Sequence, residues 1–137
     1  PMRPLYEVAS GGELSRVMLA LKSSLAYEDD TPTLVFDEID VGISGRTAQK
    51  VSEKMALIGR KHQVICITHL AHIAAMADHH FMIEKNIVGK ETQTSIRQLN
   101  EKESIEELAR ILGGAEITQT VLDGAKEMKE LAKASKK

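Results

Sequence analysis

A chain of 137 residues, 42% apolar and 28% charged, has the makeup of one globular domain or part of a larger one, and excludes wholesale disorder. Its 18 basic against 20 acidic side chains leave a formal charge of −2, which excludes a basic nucleic-acid coat on composition alone. No stretch nears the ~18 consecutive apolar residues of a spanning helix, and two Tyr, two Phe and no Trp are too few for a base-stacking surface. With Cys66 as the single cysteine there is no internal disulfide, so a reducing, cytoplasmic setting is expected. Pro1 precedes Met2 and the sequence runs at once into a dense motif, so it is expected to start inside a longer protein.

Leu14, Val17, Met18, Leu21 and Leu25 recur at helical spacing and predict a helix over 10–27, opened by a capping box of Ser10 and Glu13. The polar run 28–32, ending in Pro32, closes it. Thr33 to Phe36 reads as a buried strand that delivers Asp37-Glu38 at its end, 33–38 in all. After a loop with Gly42 and Gly45, Ser44 caps a helix near 45–59 whose apolar face is Ala48, Val51, Met55 and Ile58. A second buried strand, Val64 to Ile67, carries Thr68-His69 at its end (64–69), and a short helix follows over about 70–77. His79 to Glu84 and Thr94 to Leu99 read as strands around a turn-rich segment, 86–92. Two helices within 104–134 close the chain. The first has a capping box at Ser104 and Glu107, an apolar face of Ile105, Leu108, Ala109 and Leu112, and a stop at Gly113-Gly114. The second covers roughly 118–134. This alternation predicts an α/β fold, a largely parallel sheet flanked by helices, with residues 1–137 as one partial domain.

Three features carry chemistry. An apolar strand ending in Asp37-Glu38 puts two carboxylates where open α/β sheets bind ligands. Asp37 can support Mg²⁺ through its water shell and Glu38 can polarise a water, although a plain solvent-facing strand end reads equally well. Ser10-Gly11-Gly12-Glu13 opens a helix whose free N–H groups attract anions, and in isolation it is more simply an ordinary cap. His69, one step past a strand, can hydrogen-bond a terminal phosphate or an attacking water, or have no ligand at all. His72, His79 and His80 crowd near it and raise the idea of zinc, but no cysteine joins them at ligand spacing. Cys66 reads as inert core. The lysines 126, 129, 133, 136 and 137 could touch phosphates, though a solvated helix end is the simpler account.

Taken together and in this order, these motifs resemble the C-terminal half of an ABC-type ATPase head. Ala9 to Glu13 resembles the signature motif, Leu34 to Glu38 the Walker B strand with its adjacent glutamate, Asp40 the start of the D-loop, and His69 the switch histidine. The stretches 9–16, 36–45, 67–70 and 108–114 are similar to the RecN family of SMC-like DNA repair ATPases. Ala9 departs from the leucine usual in the wider signature, and Ile39 stands where transporters carry Pro. The phosphate loop Gly-x₄-Gly-Lys-Ser/Thr is absent: in the single Gly-Lys pair, Gly89-Lys90, the next residue is Glu91 and Glu84 occupies the first-glycine position.

The resemblance implies ATP and Mg²⁺ as cofactors, with Asp37 supporting the metal through water, Glu38 and His69 as the catalytic pair, and Ser10, Gly11, Gly12 and Glu13 reaching the ATP of a partner head. Asp40 would line the same interface between heads. The implied partners are the N-terminal lobe of the same protein with its Walker A loop, a second head in a homodimer, DNA, and recombinase proteins, with no membrane. The implied setting is the nucleoid and the implied task double-strand break repair and recombination, with this lobe inactive alone. The alternatives are a non-catalytic dimerisation or regulatory lobe, a head lobe of another SMC or ABC-type ATPase, and a His-rich metal protein.

Overall fold

The computed structural model describes residues 2–25, 28, 30–89 and 91–137. Helix α1 (Leu5–Val8) leads into α2 (Gly11–Ser24), followed by strand β1 (Thr33–Phe36), α3 (Gly45–Ile58), β2 (Gln63–Cys66) and α4 (Ala71–Ala75). Strands β3 (Phe81–Val88) and β4 (Glu91–Gln98) come next, then α5 (Glu101–Gly113) and α6 (Gln119–Ser135). The Ser10–Glu13 capping box forms as expected, the Glu13 N–H donating to Ser10 Oγ and the Ser10 N–H to Glu13 Oε2. Positions 26 and 27 of the predicted first helix, Asp29 of the polar run, Pro1 and Lys90 lie outside the described residues.

β1 and β2 pair in parallel, Thr33 opposite Gln63 and Phe36 opposite Cys66, so their carboxyl ends emerge side by side. Alternation along the strands turns Leu34 and Phe36 onto α3, where they bury with Ala48, Val51, Met55, Ile58, Leu19, Ile39 and Ile73. Full burial of side chains such as Ile39 and Ile58 contributes about 1.5–3 kcal/mol each. A second core joins Ala71, Ala74 and Ala75 to Leu108, Ala109, Ala125 and Ala132. Helix α4 thus belongs to both cores, Ile73 facing one and its alanines the other, and ties the strand pair to α5 and α6.

Four expectations need correction. The turn-rich segment 86–92 is mostly strand: β3 and β4 run to Val88 and from Glu91, because Ile87 and Thr92 continue the cross-strand pairing and only a tight turn with Gly89 at φ +67° is needed. These strands are antiparallel and form their own two-stranded sheet, so the parallel part is β1–β2 alone. The helix α5 starts one turn early, with Asn100 and Glu103 as its capping box; Ser104 is an interior residue and is buried. Finally, the stripe Val17, Met18, Leu21, Leu25 is exposed, and Leu19 is the α2 side chain that enters the core. The outer face of the strand pair, Val35, Ile65 and Ile67, is likewise bare. Both patches carry the periodicity of buried surface, and among the described residues nothing covers them.

The C-terminal lysines are largely occupied within the fold. Lys136 Nζ donates to Met76 O at 2.8 Å and Asp78 Oδ1 at 2.7 Å, Lys133 pairs with Glu101, and Lys129 is buried.

Candidate functional site

The parallel register sets the site. Asp37 and Glu38 leave β1 at the edge where Ile67, Thr68 and His69 leave β2, and the Ile67 N–H donating to Phe36 O at 3.0 Å holds the two exits together. Glu38 adopts φ +58°, a left-handed conformation that non-glycine residues rarely enter and that concentrates at functional sites. Its N–H donates to Asp37 Oδ1 at 2.9 Å. Both carboxylates are exposed.

The amino end of α2 packs onto this loop. Ser15 Oγ donates to Asp37 O at 2.6 Å, and Arg16 Nη1 donates to Ile39 O at 3.0 Å and Val41 O at 2.8 Å. A Cβ on Gly12 would stand 2.8 Å from Val41 O and 3.0 Å from Glu38 O, and one on Gly11 would run into Glu38 Oε2. Close approach to backbone therefore requires glycine at 12, whereas at 11 the flexible Glu38 carboxylate, which lies over Gly11 of its own chain, could move aside. Ser10 is exposed, and its oxygen accepts from the Glu13 N–H in the cap. Glu13 is held below its ordinary value by the Ser10 N–H, then by the Ser10 hydroxyl, and stays ionised beside the helix start.

Asp40 is turned inward from the loop. Its side chain is only 3% exposed, and its Oδ2 accepts from Thr68 Oγ1 at 2.6 Å and the His69 N–H at 2.9 Å, with His69 Nδ1 at 3.1 Å. Burial pushes this carboxyl up, but the Thr68 and His69 hydrogen bonds and the His69 ring outweigh it and hold it below the usual range. The His69 side chain is 72% exposed, so its ring is presented outward from a buried anchor. Cys66, behind the site, has its thiol pushed up to about 12 by burial and by the charges of Asp40 and Asp37.

Asp37 and Glu38 offer hard oxygen donors of the kind Mg²⁺ takes alongside waters and phosphates. Among the described residues, no group of three or more His, Cys, Asp or Glu gathers to hold an ion unaided. The neighbouring histidines have separate tasks: His80 Nδ1 meets Ser104 Oγ at 2.8 Å and His79 Nδ1 meets Gln98 Nε2 at 3.1 Å. The structure thus gathers Ser10, Gly11, Gly12, Asp37, Glu38, Asp40 and His69 around the single loop 37–41. Sequence reasoning missed Ser15, Arg16 and Thr68, which fix that loop. All three sit inside the motif stretches, and the polar Ser15 and Arg16 beside the apolar stripe were the available signal.

No protein-family model matches the chain. It is 46% identical over 136 residues to the DNA repair protein RecN of Halalkalibacterium halodurans, covering 99% of this chain and 24% of that protein. RecN of Bacillus subtilis is 44% identical over 128 residues and RecN of Treponema pallidum 49% over 128, each covering 93% of this chain and 22% of the relative. The chain therefore spans about a quarter of the length of these relatives. Among solved structures, a chain described under "Structural biochemistry of ATP-driven dimerization and DNA stimulated activation of SMC ATPases" matches with TM-score 0.56 at 22% identity, over 80% of this chain and 66% of that one. This shared fold, with the sequence similarity over almost every residue, identifies the chain as a C-terminal region of the RecN family.

Proposed function

We propose that this chain is the C-terminal lobe of an ATP-hydrolysing, SMC-like head acting in DNA repair and recombination. The observation that carries the reading is the convergence of the α2 amino end, Asp37-Glu38 and His69 on one loop at the carboxyl edge of the parallel strands. Catalysis of phosphoryl transfer is mostly positioning and electrostatics around the γ-phosphate. Mg²⁺, when bound, would supply charge neutralisation to the phosphates. Asp37 would hold it through its water shell, Glu38 would polarise the attacking water, and His69 would contact the γ-phosphate. Ser10, Gly11, Gly12 and Glu13 face the ATP of a second head, the hydroxyl proton of Ser10 and the α2 N–H groups meeting its phosphates. Asp40 keeps its place at the start of the D-loop with its carboxylate turned inward.

The uncovered patches support a larger head. Val35, Ile65 and Ile67 on one side and Val17, Met18, Leu21 and Leu25 on the other suit an N-terminal lobe that brings the phosphate loop. The relatives, about four times longer, leave ample chain for it. DNA and recombinase proteins are the proposed partners and the nucleoid the proposed setting, and the relatives' being DNA repair proteins supports the first of these. No helix among the described residues is long and apolar enough to cross a membrane.

The test mixes the chain with the N-terminal lobe of a RecN relative and follows ATP turnover, with the chain alone as blank. Turnover by the mixture, a silent blank and loss with Glu38→Gln support the reading. Turnover indifferent to Glu38→Gln refutes the catalytic assignment, and a folded mixture that binds ATP without turnover favours a non-catalytic dimerisation lobe.

A further inference from the structure

Asp40 and His69 have a relation that the motif assignments do not contain. Two donors converge on one oxygen, Asp40 Oδ2, the Thr68 hydroxyl at 2.6 Å and the His69 backbone N–H at 2.9 Å, and His69 Nδ1 stands 3.1 Å from the same oxygen. The carboxylate is buried while the imidazole is mostly exposed, so the anchor is fixed and the ring is what it orients. Thr68 Oγ1 also accepts from the Leu70 N–H at 3.0 Å, which pins the turn carrying His69. A carboxylate oxygen can only accept, so the ring nitrogen facing it carries the proton. Nε2, on the far side of the ring, is then the atom available to a ligand.

We propose that Asp40 is a positioning residue for His69, holding a proton at Nδ1 and aiming Nε2 outward. The assignment builds on the nucleotide-facing role of His69 given above. In this arrangement neutral His69 presents a lone pair at Nε2, suited to accepting a hydrogen bond from the attacking water. It donates to phosphate from Nε2 only when the ring takes a second proton. Asp40 thereby selects which of the two contacts the histidine makes.

The experiment uses a full-length protein in which this chain replaces the matched quarter of the Halalkalibacterium halodurans relative, with ¹⁵N-labelled histidine. Two-bond ¹⁵N–¹H correlations of the His69 ring, assigned by their loss in His69→Gln, report the tautomer without any turnover. The expected result is a protonated Nδ1 in the parent, the same preference in Asp40→Asn and its loss in Asp40→Ala. The asparagine keeps an accepting oxygen in place, so it is the control that preserves the fold. Thr68→Val removes one donor without touching the ring and should leave the tautomer as it is. A parent ring protonated at Nε2, a ring unchanged by Asp40→Ala, or an equal change with Thr68→Val overturns the proposal. Where the protein turns over ATP, Asp40→Ala should lower kcat on the order of tenfold to a hundredfold with little change in KM. It should add nothing further in His69→Gln, and additive losses would overturn the coupling. Absence of ATP turnover in the parent would refute the catalytic reading, while the ring spectra would still decide the role of Asp40.

Discussion

Removing one hydroxyl should destabilise this fold more than removing a charge bonded to it. Ser104 Oγ stands between Lys129 Nζ at 2.7 Å and His80 Nδ1 at 2.8 Å, joining α6, α5 and the start of β3. Ser104 is 2% exposed and Lys129 5%. Lysine can only donate, so Ser104 Oγ accepts from Lys129 and keeps its own proton and a second lone pair for the contact with His80 Nδ1. Ser104→Ala strands a buried ammonium and takes a partner from the half-buried His80 ring, at about 1–3 kcal/mol each, so a loss of about 2–6 kcal/mol is expected. Lys129→Met keeps the stem, leaves the Ser104–His80 bond intact and removes a desolvated charge, so its effect should stay within ~1 kcal/mol or be stabilising. Urea unfolding of both variants, compared at equal m-value, measures the two directly. A neutral Ser104→Ala, or a Lys129→Met that loses as much as the alanine, would refute the bonding order.

Further outcomes follow from the same structure. His80 is held below its ordinary value by burial and then by the charge of Lys129, so its native form resists protonation. The unfolded chain then binds the proton more readily, and stability should fall as pH drops from about 6.5 through the lower native value; His80→Gln should flatten that slope in thermal melts. Gly12→Ala places a methyl against two backbone carbonyls and should cost about 1–3 kcal/mol, read as a lowered urea midpoint. A Cys66 thiol near 12 is protonated at pH 8, so alkylation should be slow in the native chain and fast once it is unfolded.

Much of this was legible in the sequence because it rests on local chemistry. Ser10-Glu13 announces the α2 cap, and the face Ala48, Val51, Met55, Ile58 is buried as its spacing predicts. The ordering of Asp37-Glu38 and His69 at adjacent strand ends followed from two short apolar runs. What failed was non-local. Ser104 and Asn100 both offer capping boxes, and the choice fell to Asn100 because Ser104 is needed inside by Lys129 and His80. β3 and β4 were legible over His79–Glu84 and Thr94–Leu99, but their continuation through the polar Lys85, Asn86, Thr92 and Gln93 is revealed by their mutual pairing. The α2 stripe has the period of a core face, yet its cover is not among the described residues. The burial of Asp40 was not legible locally, because it depends on Thr68 and His69, 28 and 29 residues away.

The central claim is that one chain serves two ATP molecules, Glu38 acting on its own and Ser10 on the partner's. Complementation tests it most directly, using assembled heads of Glu38→Gln and Ser10→Arg, each inactive alone. The two lesions fall in one composite site of a mixed dimer and leave the other intact, so mixing should restore part of the ATP turnover. Mixed heads that form dimers and remain inactive would contradict the account.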